Sequence, residues 1–333
     1  MARAPTILDV AARAGVSKSL VSLVMRGSPH VSDERRARVL EAARELGYRP
    51  NAMARSLVRQ RTYVLGVVVS DLRNPFHCEL IDVVEAAALA ADYRALFTSG
   101  SRDAEREGIA IDTLLQLRVD GLILAGPVVD EQRIVEASRE VPVVLLTRHT
   151  KAEGIDSVAN HDFRGATMVV DHLVSLGHRR IAHIDGGRGA GAKRRRLGFL
   201  AAMRRHGLAD EAVVVSGAYT EDSGAAGVER ILAAGPPPTA VFAANDITAV
   251  GALHALEDRG LRVPEDVSLV GYDNTAIARL RHIDLTTVDQ PKQEMADHAV
   301  RLLVERLDEG RTSTEHIVVD PTLVVRGSTG PVR

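Results

Sequence analysis

The sequence predicts a small all-α head of helix-turn-helix type, followed by an α/β core of two doubly wound parallel-sheet subdomains with a cleft between them. Three observations predict it. Charge divides along the chain: residues 1–61 hold 12 Lys+Arg against 5 Asp+Glu, or +7, and the rest holds 30 against 39, or −9, behind a total of −2. Short helical patterns meet across a glycine in the basic part, which points to a polyanionic partner. Beyond Tyr63, apolar runs alternate with helical stretches in two successive sets. A chain of 333 residues, 45% hydrophobic, is long enough for two or three such units.

In the head, Thr6 can cap a helix through Ile7, Val10, Ala11 and Ala14, whose spacing of three and four is helical, and Gly15 ends it. Ser17 caps a second helix with Val21 and Val24 on its inner side, stopped by Gly27 and Pro29. A third begins at Ser32 and carries Asp33 and Glu34 where they complement the helix dipole. It buries Val39, Leu40 and Ala43 and ends at Gly47. Ala11, Gly15 and Val21, spaced four and six apart, form a helix-turn-helix pattern. At about 100° per residue from Val21, the second helix turns Ser19, Ser22, Leu23 and Arg26 outward, with Lys18 near its start. Such a helix can enter the major groove with its N-terminal residues at base edges. Leu23 is then an apolar residue where a polar one is expected. Next, Tyr48-Arg49-Pro50-Asn51 breaks the chain. Asn51 can cap the brief run AMARSLV, which is too short to be a stable helix alone, and residues 59–62 read as a linker.

In the core, strand-like runs are VLGVVV (64–69), YRALFTS (93–99), VDGLILA (119–125) and VPVVLLT (141–147), with helices beginning near Pro75, Asp103 and Asp130. The second set is RIAHID (180–185), AVVVSG (212–217), TAVFAA (239–244) and VSLVGY (267–272). Strands alternating with helices argue for parallel sheets covered on both faces. Ligands of such sheets sit outside the carboxyl ends of the strands. Asp273, directly after VSLVGY, and Asn245, after TAVFAA, stand in that place.

Several chemistries find no support. A lone cysteine, Cys78, gives neither a disulfide framework nor a cysteine zinc site, and His77 beside it lacks further ligands, so no metal is expected. The run GRGAGAKRRR (187–196) lacks both GxGxxG and GK[ST] spacing. Its Lys193, Arg194 and Arg196 nevertheless keep an anionic or phosphorylated ligand open. No nucleophile–base pair supports an enzyme, and no cofactor is expected. No apolar run approaches a membrane span, and MARAPTILDVAARAG lacks the apolar region of a secretory signal. A cytoplasmic protein is therefore expected, rather than a transport-type sugar-binding one.

The runs TILDVAARAGVSKSLVSLVMRG, VSDERRARVLEAARELGYRPNAMARSL, LGVVVSDLRNPF, HLVSLGHRRIAHI, AANDITAVGALHALEDRGLRVPEDVSLVGYDN and LTTVDQP carry a resemblance to the lactose and galactose repressor family, from residue 6 to about 325. The resemblance implies a ligand-responsive, dimeric transcriptional repressor with a periplasmic-binding-protein-like core. It implies a DNA-binding head (1–47), a hinge helix and linker (48–62), and an effector-binding and dimerisation core (63–333). DNA contacts would come from Thr6, Ser17, Lys18, Ser19, Ser22, Leu23, Arg26 and His30 in the head. Tyr48, Asn51, Ala54, Arg55 and Leu57 would add contacts at the hinge, with Leu57 matching a leucine wedged into the minor groove of a pseudo-palindromic operator. For the effector, Asp273 matches an aspartate that binds ligand hydroxyls, Arg195 an arginine facing the cleft, and Phe76 and Tyr219 aromatic positions on the ligand face. The sequence departs from the family at NPFH, which brings His77 near the cleft, and at His161, where Asp is common. A tetramer in this family needs a C-terminal heptad tail, which VVRGSTGPVR does not supply, so a homodimer is expected. An activator or dual regulator with an anionic effector is the alternative.

Overall fold

The computed structural model describes residues 5–25, 28–48 and 61–332. The chain divides into two compact units, Met1–Thr62 and Tyr63–Arg333.

The first unit holds α1 (Ile7–Ala14), α2 (Lys18–Met25) and α3 (Asp33–Glu45). Thr6 and Asp9 cap α1 reciprocally: the Thr6 hydroxyl accepts from the Asp9 amide, and the Asp9 carboxylate accepts the Thr6 amide at 2.7 Å. Gly15, at φ 63°, adopts the left-handed conformation that ends α1 and lets α2 turn back. The Ser17 hydroxyl then accepts the Leu20 amide at 3.2 Å. Val10, Ala11, Ala14, Val21, Val24, Val39, Ala42 and Ala43 are buried together.

Two expectations need correction here. Leu40 is 50% exposed, and Ala42 takes the inner place. The buried stripe of α3 runs through Val39, Ala42 and Ala43, and Leu40, about 100° round from Val39, falls off its edge. Leu23 is not a freely exposed leucine either; it is half-buried and packs against the core of this unit.

The second unit is two-lobed. Lobe one begins with β1 (Val64–Val69), α4 (Pro75–Ala90), β2 (Arg94–Ser99), α5 (Ala104–Gln116), β3 (Gly121–Ala125), α6 (Glu131–Ser138), β4 (Val143–Leu146) and β5 (Ile155–Asn160). The chain then builds lobe two from α7 (Asp162–Ser175), β6 (Ile181–Ile184), α8 (Ala192–Arg205), β7 (Ala212–Val215), α9 (Glu221–Ala233), β8 (Ala240–Ala243), α10 (Asp246–Asp258), β9 (Ser268–Asp273) and β10 (Thr286–Asp289). Helix α11 (Lys292–Asp308) and β11 (His316–Val319) return to lobe one, and β12 (Thr322–Val324) closes lobe two. Strand order is β11-β5-β4-β3-β1-β2 in lobe one, with every pairing parallel. In lobe two it is β12-β10-β9-β8-β6-β7, parallel except for the antiparallel edge pair β10–β12.

The eight apolar runs became strands, the inner ones covered by helices on both faces and the edge strand β2 only partly, with Leu96 exposed. Strands β5, β10, β11 and β12 were not anticipated. In β5, IDSVAN, the polar Asp156, Ser157 and Asn160 are buried. Asp156 is held there by Arg306, Arg311 and the Glu315 amide, partners about 150 residues away. The chain crosses between lobes three times, around His161, around Gln290-Pro291 and around Asp320-Pro321. No helix among the described residues is long and apolar enough to cross a membrane.

Candidate functional site: a cavity between the two lobes

The carboxyl ends of both sheets face a shared cavity of about 470 Å³, open mouth included. Lobe one contributes Ser70 after β1, Asn74, Phe76 and His77 at the start of α4, Arg102 after β2, Gly126 and Val128 after β3, and Thr147 after β4. Lobe two contributes Gly189, Ala190, Arg195, Tyr219 and Asp273, and Gln290 lies at a crossing.

Arg195 and Asp273 form the charged centre, both buried. Arg195 Nε donates to Asp162 Oδ1 at 2.8 Å and Nη1 to the Ala244 carbonyl at 2.6 Å; Nη1 stands 3.7 Å from Asp273 Oδ1. The guanidinium carbon lies 3.6 Å from the Tyr272 ring centroid and 5.5 Å from that of Tyr219, within reach of cation–π attraction. Burial alone would push the Arg195 pKa down; the field of Tyr219, Asp162, Tyr272 and Asp273 holds it well above its ordinary value. Burial pushes the Asp273 carboxyl up, to about 7, against the pull of Arg195. Its neighbour Asp246, buried and hydrogen-bonded by Thr275 and Thr287, is pushed up to about 6 for the same reason.

Asp273 is held in an unusual backbone state. It sits at φ 105° and Asn274 at φ 46°, a region that costs a non-glycine residue ~1–3 kcal/mol. Lys292, at the start of α11, fixes both by donating Nζ to the Asp273 carbonyl at 2.8 Å and to the Asn274 carbonyl at 3.4 Å. Gln290 Nε2 donates to Asp273 Oδ1 at 2.6 Å and so aims the carboxylate. Lys292 also pairs with Glu79 of α4 at 3.3 Å, and Glu79 accepts the Ala276 amide of lobe two at 2.6 Å. Carboxylate placement is thereby tied to the seating of one lobe on the other. Lys292→Met is expected to weaken ligand binding in the cavity by ~1–3 kcal/mol and to lower thermal stability as well, since it also removes the Glu79 ion pair and the bonds to two strained carbonyls. Calorimetry on a cavity ligand checks it; unchanged affinity would remove Lys292 from the site.

His77 adds an acceptor. Asn74 caps α4 by accepting the Phe76 amide at 3.1 Å, with Pro75 in the first turn. This presents His77 Nδ1 at 2.8 Å from the Asp71 carbonyl, an acceptor that selects the tautomer with the proton on Nδ1, with the Asp71 amide farther off at 3.3 Å. Burial lowers the His77 pKa and so favours the neutral ring, in which Nε2, near Gly126, is left to accept. The Tyr219 ring lies against Gly189, where a Cβ would come within 2.3 Å of it, and its hydroxyl donates to the Ala190 carbonyl at 2.6 Å. Gly191, at φ 76°, lets α8 begin against Asp162, where a Cβ would stand 2.5 Å from Oδ2. The glycines of GRGAGA therefore serve close packing. Lys193, Arg194 and Arg196 are exposed and do not line the cavity, and Arg196 pairs with Asp185 at 3.3 Å.

Of the seven candidate effector residues, Phe76, His77, Arg195, Tyr219 and Asp273 come together in this lining. His161 and Asn245 do not line it. His161 is exposed at a crossing and caps α7, Nδ1 accepting the Arg164 amide at 3.3 Å; the next residue, Asp162, reaches Arg195 instead. Asn245 caps α10, Oδ1 accepting the Thr248 amide at 3.0 Å, because a strand-to-helix turn there needs its side chain for the helix start. Sequence reasoning missed Ser70, Arg102, Thr147, Gln290 and Asp162. The first three stand just past strand ends, where the same rule that found Asp273 applies.

In the head, Lys18 and Ser19 are exposed at the start of α2, His30 is exposed, and Ser22 and Leu23 are half-buried. Thr6 and Ser17 act as caps, and Tyr48 packs on the head core. Arg26, Asn51, Ala54, Arg55 and Leu57 lie outside the described residues. No group of three or more His, Cys, Asp or Glu able to hold a metal occurs among the described residues.

Residues 6–51 match the family described as bacterial regulatory proteins, lacI family, and residues 170–329 match a periplasmic binding protein-like domain. The chain is 36% identical to the HTH-type transcriptional repressor PurR of Erwinia tasmaniensis, over 98% of each chain. Among solved structures, it resembles the lac repressor dimer bound to operator and the anti-inducer ONPF, at 30% identity and TM-score 0.87, over 98% of this chain and 100% of that one. It also resembles the transcriptional regulator CelR in complex with cellobiose, at 32% identity and TM-score 0.74, over 97% of this chain and 99% of that one.

Proposed function

Because the chain belongs to the lacI family of bacterial regulatory proteins, we propose that it is a dimeric transcriptional repressor whose operator affinity is set by a small polyhydroxylated ligand held between the lobes. It is a DNA-binding regulator and not an enzyme, and it works in the cytoplasm. One observation carries the ligand class. The buried Asp273 carboxylate and Arg195 guanidinium face the cavity 3.7 Å apart, beside the Phe76 and Tyr219 rings. Adjacent hydroxyls of a sugar, polyol or nucleoside can donate to the first and accept from the second, while a ring packs on the apolar face. His77 supplies a further acceptor.

Residues 1–47 read the operator, residues 48–62 link and kink it through Leu57, and residues 63–333 bind effector and dimerise. Lys18 and Ser19 meet base edges from the start of α2. Leu23 cannot donate a hydrogen bond; its exposed part meets the one apolar feature the major groove offers, a thymine methyl. Effector changes the angle between lobes across the three crossings, and ~1–3 kcal/mol of coupling suffices to switch occupancy.

A binding-site selection with the full chain, followed by gel shifts in the presence of sugars, polyols and nucleosides, tests this reading. A pseudo-palindromic site whose occupancy responds to one of them is expected. Selection of no sequence above background would end it. In the same selection Leu23→Arg is expected to shift preference from thymine to guanine at one position of each half-site, by ~1–3 kcal/mol. Identical preferred half-sites would mean that Leu23 reads nothing.

A further inference from the structure

The inner cavity opens into a wider hollow of about 1100 Å³, open mouth included, which shares Arg102, Val128, Gly189 and Ala190 with it. Three arginines line the hollow, each just past the end of a different strand: Arg102 after β2, Arg148 after β4 and Arg188 after β6. Two come from lobe one and the third from lobe two. Their donors are only partly engaged. Arg102 gives Nε to Asp71 at 3.0 Å, and Arg148 gives Nη1 to the carbonyls of Pro127 and Val129 at 3.1 and 2.9 Å. Arg188 is exposed and has no hydrogen-bond or ion-pair partner among the described residues. The two acids of the lining, Asp103 and Asp130, stand at the N-caps of α5 and α6, Asp103 accepting the Arg106 amide at 2.9 Å. Asp103 is thus engaged by its helix end; Asp130 makes no such cap bond, and its one carboxylate leaves the three guanidinium groups in excess. Cations gathered at one mouth run against the composition of the core, which carries −9 after residue 61.

Resting on the inner cavity as the effector site, we propose that the effector also carries an acidic group, a phosphate or a carboxylate, bound in this outer hollow by Arg102, Arg148 and Arg188. Guanidinium forks match such oxyanions with charge-assisted, often paired, hydrogen bonds. The hydroxylated part of the same molecule then reaches Asp273 and Arg195. Because the arginines come from both lobes, the anion draws the lobes together, which links recognition of the acidic group to the lobe angle.

Inorganic phosphate and acetate, titrated separately into the full chain and followed by calorimetry, are the probes. Saturable binding is expected, weakened about tenfold by Arg188→Ala, weakened by added salt, and retained in Asp273→Ala. Tighter phosphate binding identifies a phosphorylated effector; tighter acetate binding identifies a carboxylate. Absence of saturable binding for both anions overturns the proposal, as does binding indifferent to Arg188→Ala. Anion binding strengthened severalfold in Asp273→Ala, which frees Arg195 of a competing carboxylate, would put the anion in the inner cavity and overturn it too. Neutral polyols on the same variants separate the two readings: polyol binding that survives Asp273→Ala counts against the inner site and leaves the anion result standing.

Discussion

Replacing Arg195 with methionine is expected to cost the core ~3–5 kcal/mol of stability, in addition to ligand binding. The arginine is the cation between two buried carboxylates, Asp162 at 2.8 Å and Asp273 at 3.7 Å. Without it both carboxylates stay buried with no counter-charge, although Asp273 keeps its Gln290 hydrogen bond, and the Ala244 carbonyl and the Tyr272 face lose their partner. Removing one member of a buried pair is costly because the other remains desolvated and uncompensated. For a unit of this size the melting temperature should fall by on the order of ten degrees. Adding Asp162→Asn should recover part of the loss, since it removes one of the stranded charges. Urea unfolding of wild type, Arg195→Met and the double variant checks this. A midpoint in Arg195→Met equal to that of wild type would mean that Arg195 serves the ligand alone.

Asp273→Asn is expected to reduce effector affinity about a hundredfold while leaving operator binding intact. Hydrogen bonds to a charged group contribute ~1.5–3 kcal/mol each, and the neutral amide gives up that charge. The pH dependence follows from burial. The folded-state pKa of Asp273, about 7, lies above that of the unfolded chain. Its contribution to stability is therefore fully present below the unfolded carboxylate pKa of ~3.9 and is lost as pH rises through about 7. Effector binding runs the other way. Hydroxyls that donate to the carboxylate favour its ionised form, so affinity should rise between about pH 6 and 8 and binding should release a proton. Asp246 titrates with Asp273 as a pair, and burial lowers the His77 pKa, which favours the neutral form of that ring. Calorimetry in buffers of different ionisation enthalpy detects the proton. Affinity that is flat with pH in the wild type, or pH-dependent to the same degree in Asp273→Asn, would contradict the assignment.

The amino-acid sequence by itself determined what local rules govern. Period and punctuation were enough for the helices around Val10, Val21 and Val39, capped by Thr6 and Ser17 and turned at Gly15, and for eight strands, of which the inner ones must be apolar because helices cover both their faces. The rule that ligands gather past strand ends was enough to single out Asp273, and family resemblance added Arg195, Phe76 and Tyr219. What only the tertiary structure decided depends on partners distant in the chain. Strand β5 is polar and buried because Arg306 and Arg311, about 150 residues on, neutralise Asp156. His161 and Asn245 occupy strand-end positions as Asp273 does, yet their side chains cap helices, while Asp162, Gln290 and Lys292 set the charged centre. Leu23 reads as an outward residue by helical angle, but the packing of the head draws it half inside. Helical period fixes which way a side chain starts, whereas burial, ion pairing and pKa depend on what the rest of the chain brings against it, and that is a property of the folded whole.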